Sequence, residues 1–323
     1  MNITCIGSGI FSFAIANLLK ENKNNKIKIW SHDEEFVKNI TNSKKVSFDD
    51  YTMEIPENIT LTSSLSDAVD KSDAIFILVS SKYFIDILNE LQYENIRSIP
   101  IFIGTKGLLD ISPYFLSSYA KKVLKSKNIS YIAGPNKAQD LLNNKPALIS
   151  VGTKKKKVFE LIKSIMPDFI KLERLKELEI IELASTIKNI YAIGAGMIYQ
   201  KYPSDSTLLS YSALAYKEMA RILYYNFDFE DIEFYSGVGG DFFLTNTMHK
   251  SRNFIYGTKR AISSNEGNIY MKKNTVEGYE NIDNVVSFLN NKLKKYPILE
   301  AIHGILYKNE KTDILYNTCF KKD

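Results

Sequence analysis

Short apolar runs, each followed by a stretch of helical length, fill the first half of this 323-residue chain. Residues 74–79 and 99–104 are continuous apolar runs, the pattern of strands covered on both faces; residues 129–133 and 147–151 look like two more, and residues 3–6 are a further short apolar run. Residues 26–30 alternate Ile with Lys and read as a further strand, and residues 12–21 form an amphipathic helical spacer. Strand, helix and strand in succession imply right-handed crossovers and a mostly parallel sheet. After residue 175 the character changes: residues 177–199, 207–225 and 285–295 have helical spacing and few strand signals. The expectation is an α/β domain over residues 1–180 followed by an all-α domain over residues 181–323. The join carries no Gly, Pro or Ser linker, which predicts an interface shared by the two halves.

Composition excludes several classes. A hydrophobic content of 45% with 24% charged residues supplies a core and rules out a disordered chain. The formal charge of +5 is spread over both halves, and the four lysines of residues 154–157 read as a solvated turn, so no nucleic-acid partner is expected. Cys5 and Cys319 stand at opposite ends, too few for a disulfide framework, which predicts a reducing compartment and a cytoplasmic location. No apolar run approaches the ~18–20 residues of a membrane-spanning helix, and the first residues lack the basic and apolar order of a signal peptide. Neither membrane insertion nor a bound metal is expected.

Each predicted strand ends in small or polar residues: Gly7-Ser8-Gly9, Ser31-His32, Ser80-Ser81, Thr105-Lys106-Gly107 and Gly134-Pro135-Asn136. In an open parallel sheet these turns share the edge where ligands bind. The first turn continues through Ile10, Phe11 and Ser12 into a helix, the place of a dinucleotide fingerprint and a Rossmann-like fold. Gly7 suits the tight turn, and Gly9 admits a pyrophosphate at the helix N-terminus, with Ser12 replacing a third glycine. After the second strand, His32 facing a 2′-phosphate and Asp33 holding the ribose are both open readings, so the cofactor is NAD or NADP.

Further segments complete a constellation. They are Gly104-Thr105-Lys106-Gly107, Gly134-Pro135-Asn136-Lys137-Ala138, Lys188-Asn189, a Gly239-Gly240-Asp241 turn with Thr245, Ser251-Arg252-Asn253 with Gly257, and Val276-Glu277-Gly278. In that order, over residues 3–305, the chain resembles the NAD(P)-dependent glycerol-3-phosphate dehydrogenases of the bacterial type. The resemblance implies reduction of dihydroxyacetone phosphate to sn-glycerol 3-phosphate for phospholipid synthesis. It implies Lys188 as the catalytic lysine, Lys106 at the cofactor–substrate junction, and Gly134 and Asn136 as substrate contacts. Asp241, Ser251, Arg252 and Asn253 match the substrate and phosphate cluster. Ile10, Phe11, Ala138, Val276 and Glu277 match cofactor contacts, with His32 and Arg252 added to that group. A homodimer acting on a small phosphorylated substrate is expected.

The chemistry also follows from residue types. Hydride arriving at a carbonyl carbon leaves charge on oxygen, which needs a proton donor. Lys188 lies among Ala184, Ile187, Ile190 and Ala192, where desolvation lowers a lysine pKa toward neutrality. Asn189 is a second candidate donor to the developing alkoxide. Arg252 offers a planar fork for a phosphate, and Asp241 either orients the substrate hydroxyl or holds Lys188. The family pattern is broken at Ser12, Asn136, Ser206 and Leu214, the last two replacing a usual Asn and Arg. Two other readings stay open: a dehydrogenase for another small oxo or hydroxy acid, and a non-catalytic NAD(P)-sensing module.

Overall fold

The structure is a computed structural model and describes residues 1–48, 51–227 and 235–321. It divides into two compact units, Met1–Thr105 with Leu116–Ile181, and Lys106–Phe115 with Glu182–Asp323. The first unit runs β1 (Asn2–Ile6), α1 (Ile10–Leu19), β2 (Lys26–Trp30), α2 (Glu34–Ser43), β3 (Lys45–Phe48), β4 (Tyr51–Glu54), β5 (Ile59–Thr62), α3 (Leu65–Val69) and β6 (Ala74–Ile77). It continues through α4 (Ser81–Leu91), β7 (Ile101–Ile103), α5 (Leu116–Val123), β8 (Ile129–Ala133), α6 (Ala138–Leu142), β9 (Ala147–Gly152), α7 (Lys156–Ile165) and β10 (Ile170–Leu175).

One eight-stranded sheet has the order β10-β9-β8-β7-β6-β1-β2-β5. Pairing is parallel from β5 through to β8, β8 and β9 are antiparallel, and β9 and β10 are parallel. The sheet is therefore mostly parallel, as its apolar runs imply. β6, β7 and β8 are buried at every residue because the sheet is covered on both faces there. The edge strands β5 and β10 mix Thr, Lys, Glu and Arg with their aliphatics, so they present no apolar run and escape a reading that looks for one. The small β3–β4 hairpin escapes it for the same reason. Helix α1 buries Phe13, Ala14, Ile15 and Ala16, and its Asn17 amide donates to the carbonyls of Leu141 and Leu142 at the end of α6. Those are orphan helix-terminal acceptors, so one buried Asn joins the two helices.

In the second unit the order is α8 (Leu178–Lys201, entering from the first unit), α9 (Asp205–Phe227), α10 (Ser236–Thr247), α11 (Arg252–Ile262), α12 (Ser264–Met271), α13 (Glu277–Leu289), a 3-10 turn (Asn290–Lys295), α14 (Pro297–Tyr307) and α15 (Asp313–Phe320). The described part beyond residue 181 is helical, in line with the expected all-α half. Helix α8 is buried nearly all round, including its polar Glu182, Ser185, Thr186 and Asn189, and thus forms the axis of this unit. Ser185 and Thr186 satisfy their hydroxyls on the Glu182 carbonyl. Close approach to α8 depends on glycine: a Cβ on Gly257 of α11 would collide with the Ile193 carbonyl, and one on Gly196 with the Phe254 carbonyl. Gly257→Ala is expected to cost ~3 kcal/mol, the upper range for overpacking, read as a lowered denaturant midpoint.

Residues 106–115 belong to the helical unit, an excursion that a division at residue 180 does not contain. Gly107, at φ 137°, donates its N–H to Thr186 Oγ1 at 3.2 Å. Leu108 N donates to Asn281 Oδ1 at 3.1 Å, and Asn284 Nδ2 donates to the Leu108 carbonyl at 2.7 Å. Three bonds to α8 and α13 therefore carry Lys106 into the second unit.

Candidate active site

The turn after β1 has the geometry of a phosphate cradle. Gly7 adopts φ 122°, and a Cβ there would meet the Leu78 carbonyl oxygen at 2.9 Å, so only glycine fits. Its N–H donates to the Trp30 carbonyl at 3.0 Å, and Ser8 Oγ meets Ser31 Oγ at 2.8 Å, tying the turn to β2. Gly9 begins α1 with nothing within 4 Å of its Cβ position, leaving open space in front of the helix. Ser12 and Phe13 donate to the Gly9 carbonyl, so the N–H groups of Ile10 and Phe11 precede the intrahelical bonds and point out of the helix end. A dinucleotide pyrophosphate fits this open, donor-rich end. Ser12 is fully buried, so it packs α1 and offers no surface to a ligand.

Beyond β2, Asp33 caps α2 by accepting from Phe36 N at 2.9 Å, which commits one oxygen of the carboxylate considered for the ribose. His32 stays exposed in an aromatic row, its ring 6.4 Å from that of Trp30 and 6.1 Å from that of Tyr83. Lys82 Nζ sits 4.6 Å from the Tyr83 ring centroid. After β8, Gly134 takes φ 154° against the Leu148 carbonyl, and Asn136 Nδ2 donates to that carbonyl at 3.3 Å. The Asn136 amide thus braces its own turn. Ala138 opens α6, partly buried against the core of the first unit. A groove of about 680 Å³ at the opposite sheet edge, lined by Asn2, Lys23, Lys26, Asn58 and Lys71, shares none of these residues.

The second unit gathers the charged residues. Lys188 is 3% exposed on α8 and does not snorkel to solvent; its Nζ is paired with Asp241 Oδ1 on α10. Burial pushes the ammonium down to about 8, the Lys106 charge adds to that, and Asp241 and Glu277 oppose it. Asn246, one turn beyond Asp241, donates to the Lys188 carbonyl at 3.2 Å. Gly239, Gly240 and Asp241 lie inside α10 rather than in a turn. Glycine weakens a helix by ~1 kcal/mol each, which is why the sequence suggested a turn. Gly239 instead leaves room for Tyr216, whose hydroxyl would sit 3.1 Å from a Cβ.

Around the pair, Asn189 Nδ2 donates to Glu277 Oε2 at 2.9 Å, so that amide is engaged with α13. Asn253 Oδ1 accepts from Gly278 N at 2.8 Å, bracing the same end of α13, and Val276 is buried just before it. Ser251 caps α11 through Phe254 N, and Thr245 bonds the Asp241 carbonyl of its own helix. Arg252 is exposed on the first turn of α11. Thr186 and Asn246 are not legible in the sequence, because a single Thr or Asn on a helix carries no signal until its partner is known.

The sequence model of the NAD-dependent glycerol-3-phosphate dehydrogenase N-terminus matches residues 2–159, and that of the C-terminus of the same family matches residues 178–317. The chain belongs to this family. The NAD(P)+ glycerol-3-phosphate dehydrogenase of Ehrlichia canis is 26% identical over 320 residues, covering 97% of this chain and 98% of its own. That of Mesoplasma florum is 26% identical over 333 residues, with 99% and 97% covered. The fold matches the crystal structure of glycerol-3-phosphate dehydrogenase from Coxiella burnetii with a TM-score of 0.83 at 21% identity, over 99% of both chains. Ser206 and Leu214 lie on the exposed side of α9, whereas the Lys188–Asp241 pair is buried.

Proposed function

We propose that the chain reduces dihydroxyacetone phosphate to sn-glycerol 3-phosphate, reversibly, with NADH or NADPH as reductant and Lys188 as general acid and base. The observation that carries this reading is the buried Lys188–Asp241 pair, flanked by Lys106 and Glu277, in a chain of this family. Gly7, Gly9, Ile10 and Phe11 hold the cofactor pyrophosphate, with His32 and Ala138 as further contacts. When bound, the nicotinamide supplies the hydride. Lys188 donates its proton to the carbonyl oxygen in reduction and accepts it back in oxidation, and Lys106 adds positive charge near the developing alkoxide. With Lys188 titrating near 8, reduction declines as pH rises through that value, and oxidation declines as pH falls through it.

Arg252 and the N-terminus of α11 bind the substrate phosphate, an exposed guanidinium at the positive end of a helix. Arg252→Ala is expected to raise the Michaelis constant for dihydroxyacetone phosphate about tenfold, the loss of a charged hydrogen bond, with little change in turnover. An unchanged constant in steady-state kinetics would remove Arg252 from the phosphate site. The reading as a whole is tested by initial rates with dihydroxyacetone phosphate against NADH and NADPH, beside an oxo acid as control. Oxidation of the cofactor with the oxo acid alone overturns it.

The same reading includes a cytoplasmic homodimer that supplies glycerol phosphate for phospholipid synthesis. Unpaired Cys5 and Cys319 suit a reducing compartment, and no described helix is long and apolar enough to cross a membrane.

A further inference from the structure

Glu218 on α9 is a buried carboxylate that the proposed chemistry does not use. It is 5% exposed, and its oxygens accept three hydrogen bonds: from Tyr191 Oη at 3.0 Å, from Ile298 N at 3.0 Å and from Leu299 N at 2.8 Å. The two backbone donors are at the N-terminus of α14, where the local N-cap residue, Tyr296, makes no side-chain cap. A carboxylate there satisfies orphan donors and faces the positive end of the helix. Capping accounts for two of the three bonds. It does not account for the third, from Tyr191.

Tyr191 connects Glu218 to the acid/base pair by two routes. It lies on α8 three residues after Lys188, on the same stretch of helix. Its fully buried ring packs 6.0 Å from that of Phe242, the residue following Asp241 on α10. A second tie fixes the same turn: Tyr211 Oη, on α9, donates to the Tyr191 carbonyl at 2.9 Å over Gly194, where a Cβ would collide with it. Burial, with the nearby carboxylate, holds the Tyr191 phenol well above its ordinary range, so it stays protonated and remains the donor. The groups facing Glu218 are Tyr191, Arg221 on its own helix, the phenols of Tyr211 and Tyr296, and the Cys319 thiol of α15. Among these, Tyr191 is the one that shares a helix with Lys188.

We propose that Glu218 is a positioning residue for the reaction: through Tyr191 it fixes the rotation of α8, and thereby the alignment of Lys188 with Asp241. The proposal rests on Lys188 as the acid/base. Glu218 touches no substrate; it acts on the lysine through one phenol and one helix turn.

Tyr191→Phe removes only the hydroxyl and keeps the ring against Phe242, while Glu218 still caps α14. Its turnover with dihydroxyacetone phosphate is expected to fall about tenfold or more, the scale of a catalytic group held slightly out of place. The Michaelis constant and cofactor affinity should stay within twofold, and the pH at which reduction declines should move. Glu218→Gln should do the same, and the double variant should be no slower than the slower single one. Turnover and pH profile within twofold of the parent in Tyr191→Phe would overturn the proposal and leave Glu218 as a cap alone, whatever the folding of Glu218→Gln. Lys188→Ala separates the two layers. If that variant is inactive while Tyr191→Phe is normal, only the positioning role fails; if it is active, the acid/base reading itself has failed.

Discussion

Replacing Lys188 by alanine is expected to lower turnover by at least ~100-fold while cofactor affinity is kept. The ammonium is buried and fixed by the Asp241 carboxylate, so no solvent lysine replaces it, and among the described residues no other lysine forms an ion pair with Asp241. Titration near 8 then matches the lysine to proton transfer close to neutral pH, where a donor with an ordinary lysine pKa would be a weak acid. Cofactor affinity should survive because the cradle at Gly7 and Gly9 is built in the other unit by β1, α1 and β2. Stopped-flow single turnovers and cofactor titration by fluorescence measure the two quantities separately. Near-normal single-turnover rates would remove Lys188 from the chemistry.

Asp241→Asn has the second large effect, and its direction follows from the charges around Lys188. The carboxylate is the strongest influence holding Lys188 up against burial and against Lys106, so without it the lysine falls below about 8. Reduction should then decline from a lower pH than in the parent. Stability responds as well. An unfolded lysine titrates at ~10.4, so the unfolded chain binds more protons than the folded one wherever pH lies between the folded value and that limit. Stability therefore rises with pH across that window, and the window opens at lower pH in the variant. The deficit of Asp241→Asn relative to the parent should be largest near pH 6, approaching the ~3–5 kcal/mol of an uncompensated buried charge, and smaller at pH 9. Denaturant unfolding at the two pH values measures it. A deficit that does not change with pH would mean that Asp241 is not the counter-charge of Lys188.

Much of the fold was legible in the residues. Strands buried on both faces favour continuous apolar runs, so β6 and β7 and the crossover between them follow from order along the chain, whereas β8 is as fully buried with Ser130 and Tyr131 inside it. Edge strands do not have this preference, which is why β5 and β10 left little trace. The candidate site was legible as residue types but not as partnerships. As a residue type Asn189 is a candidate donor to the alkoxide, yet its amide is held by Glu277, and Asn136 braces its own turn. Asp241 had two readings, and pairing with Lys188 is the one seen. An amide or carboxylate on a helix has several possible partners, and spacing along one helix does not choose among partners on others.

Taken along the chain, the residues specify the buried middle of the sheet, the change to helices near residue 180, the glycine turn and the family. These depend on periodicity, on φ values that only glycine adopts and on residue order, all properties of the chain read locally. The placement of Lys188 is settled only by the tertiary fold. Its burial, its pairing with Asp241, the approach of Lys106 on an excursion after β7, and the hold of Glu218 on Tyr191 join segments more than twenty residues apart. The pKa of a buried lysine depends on everything packed around it, and that packing exists only in the folded chain.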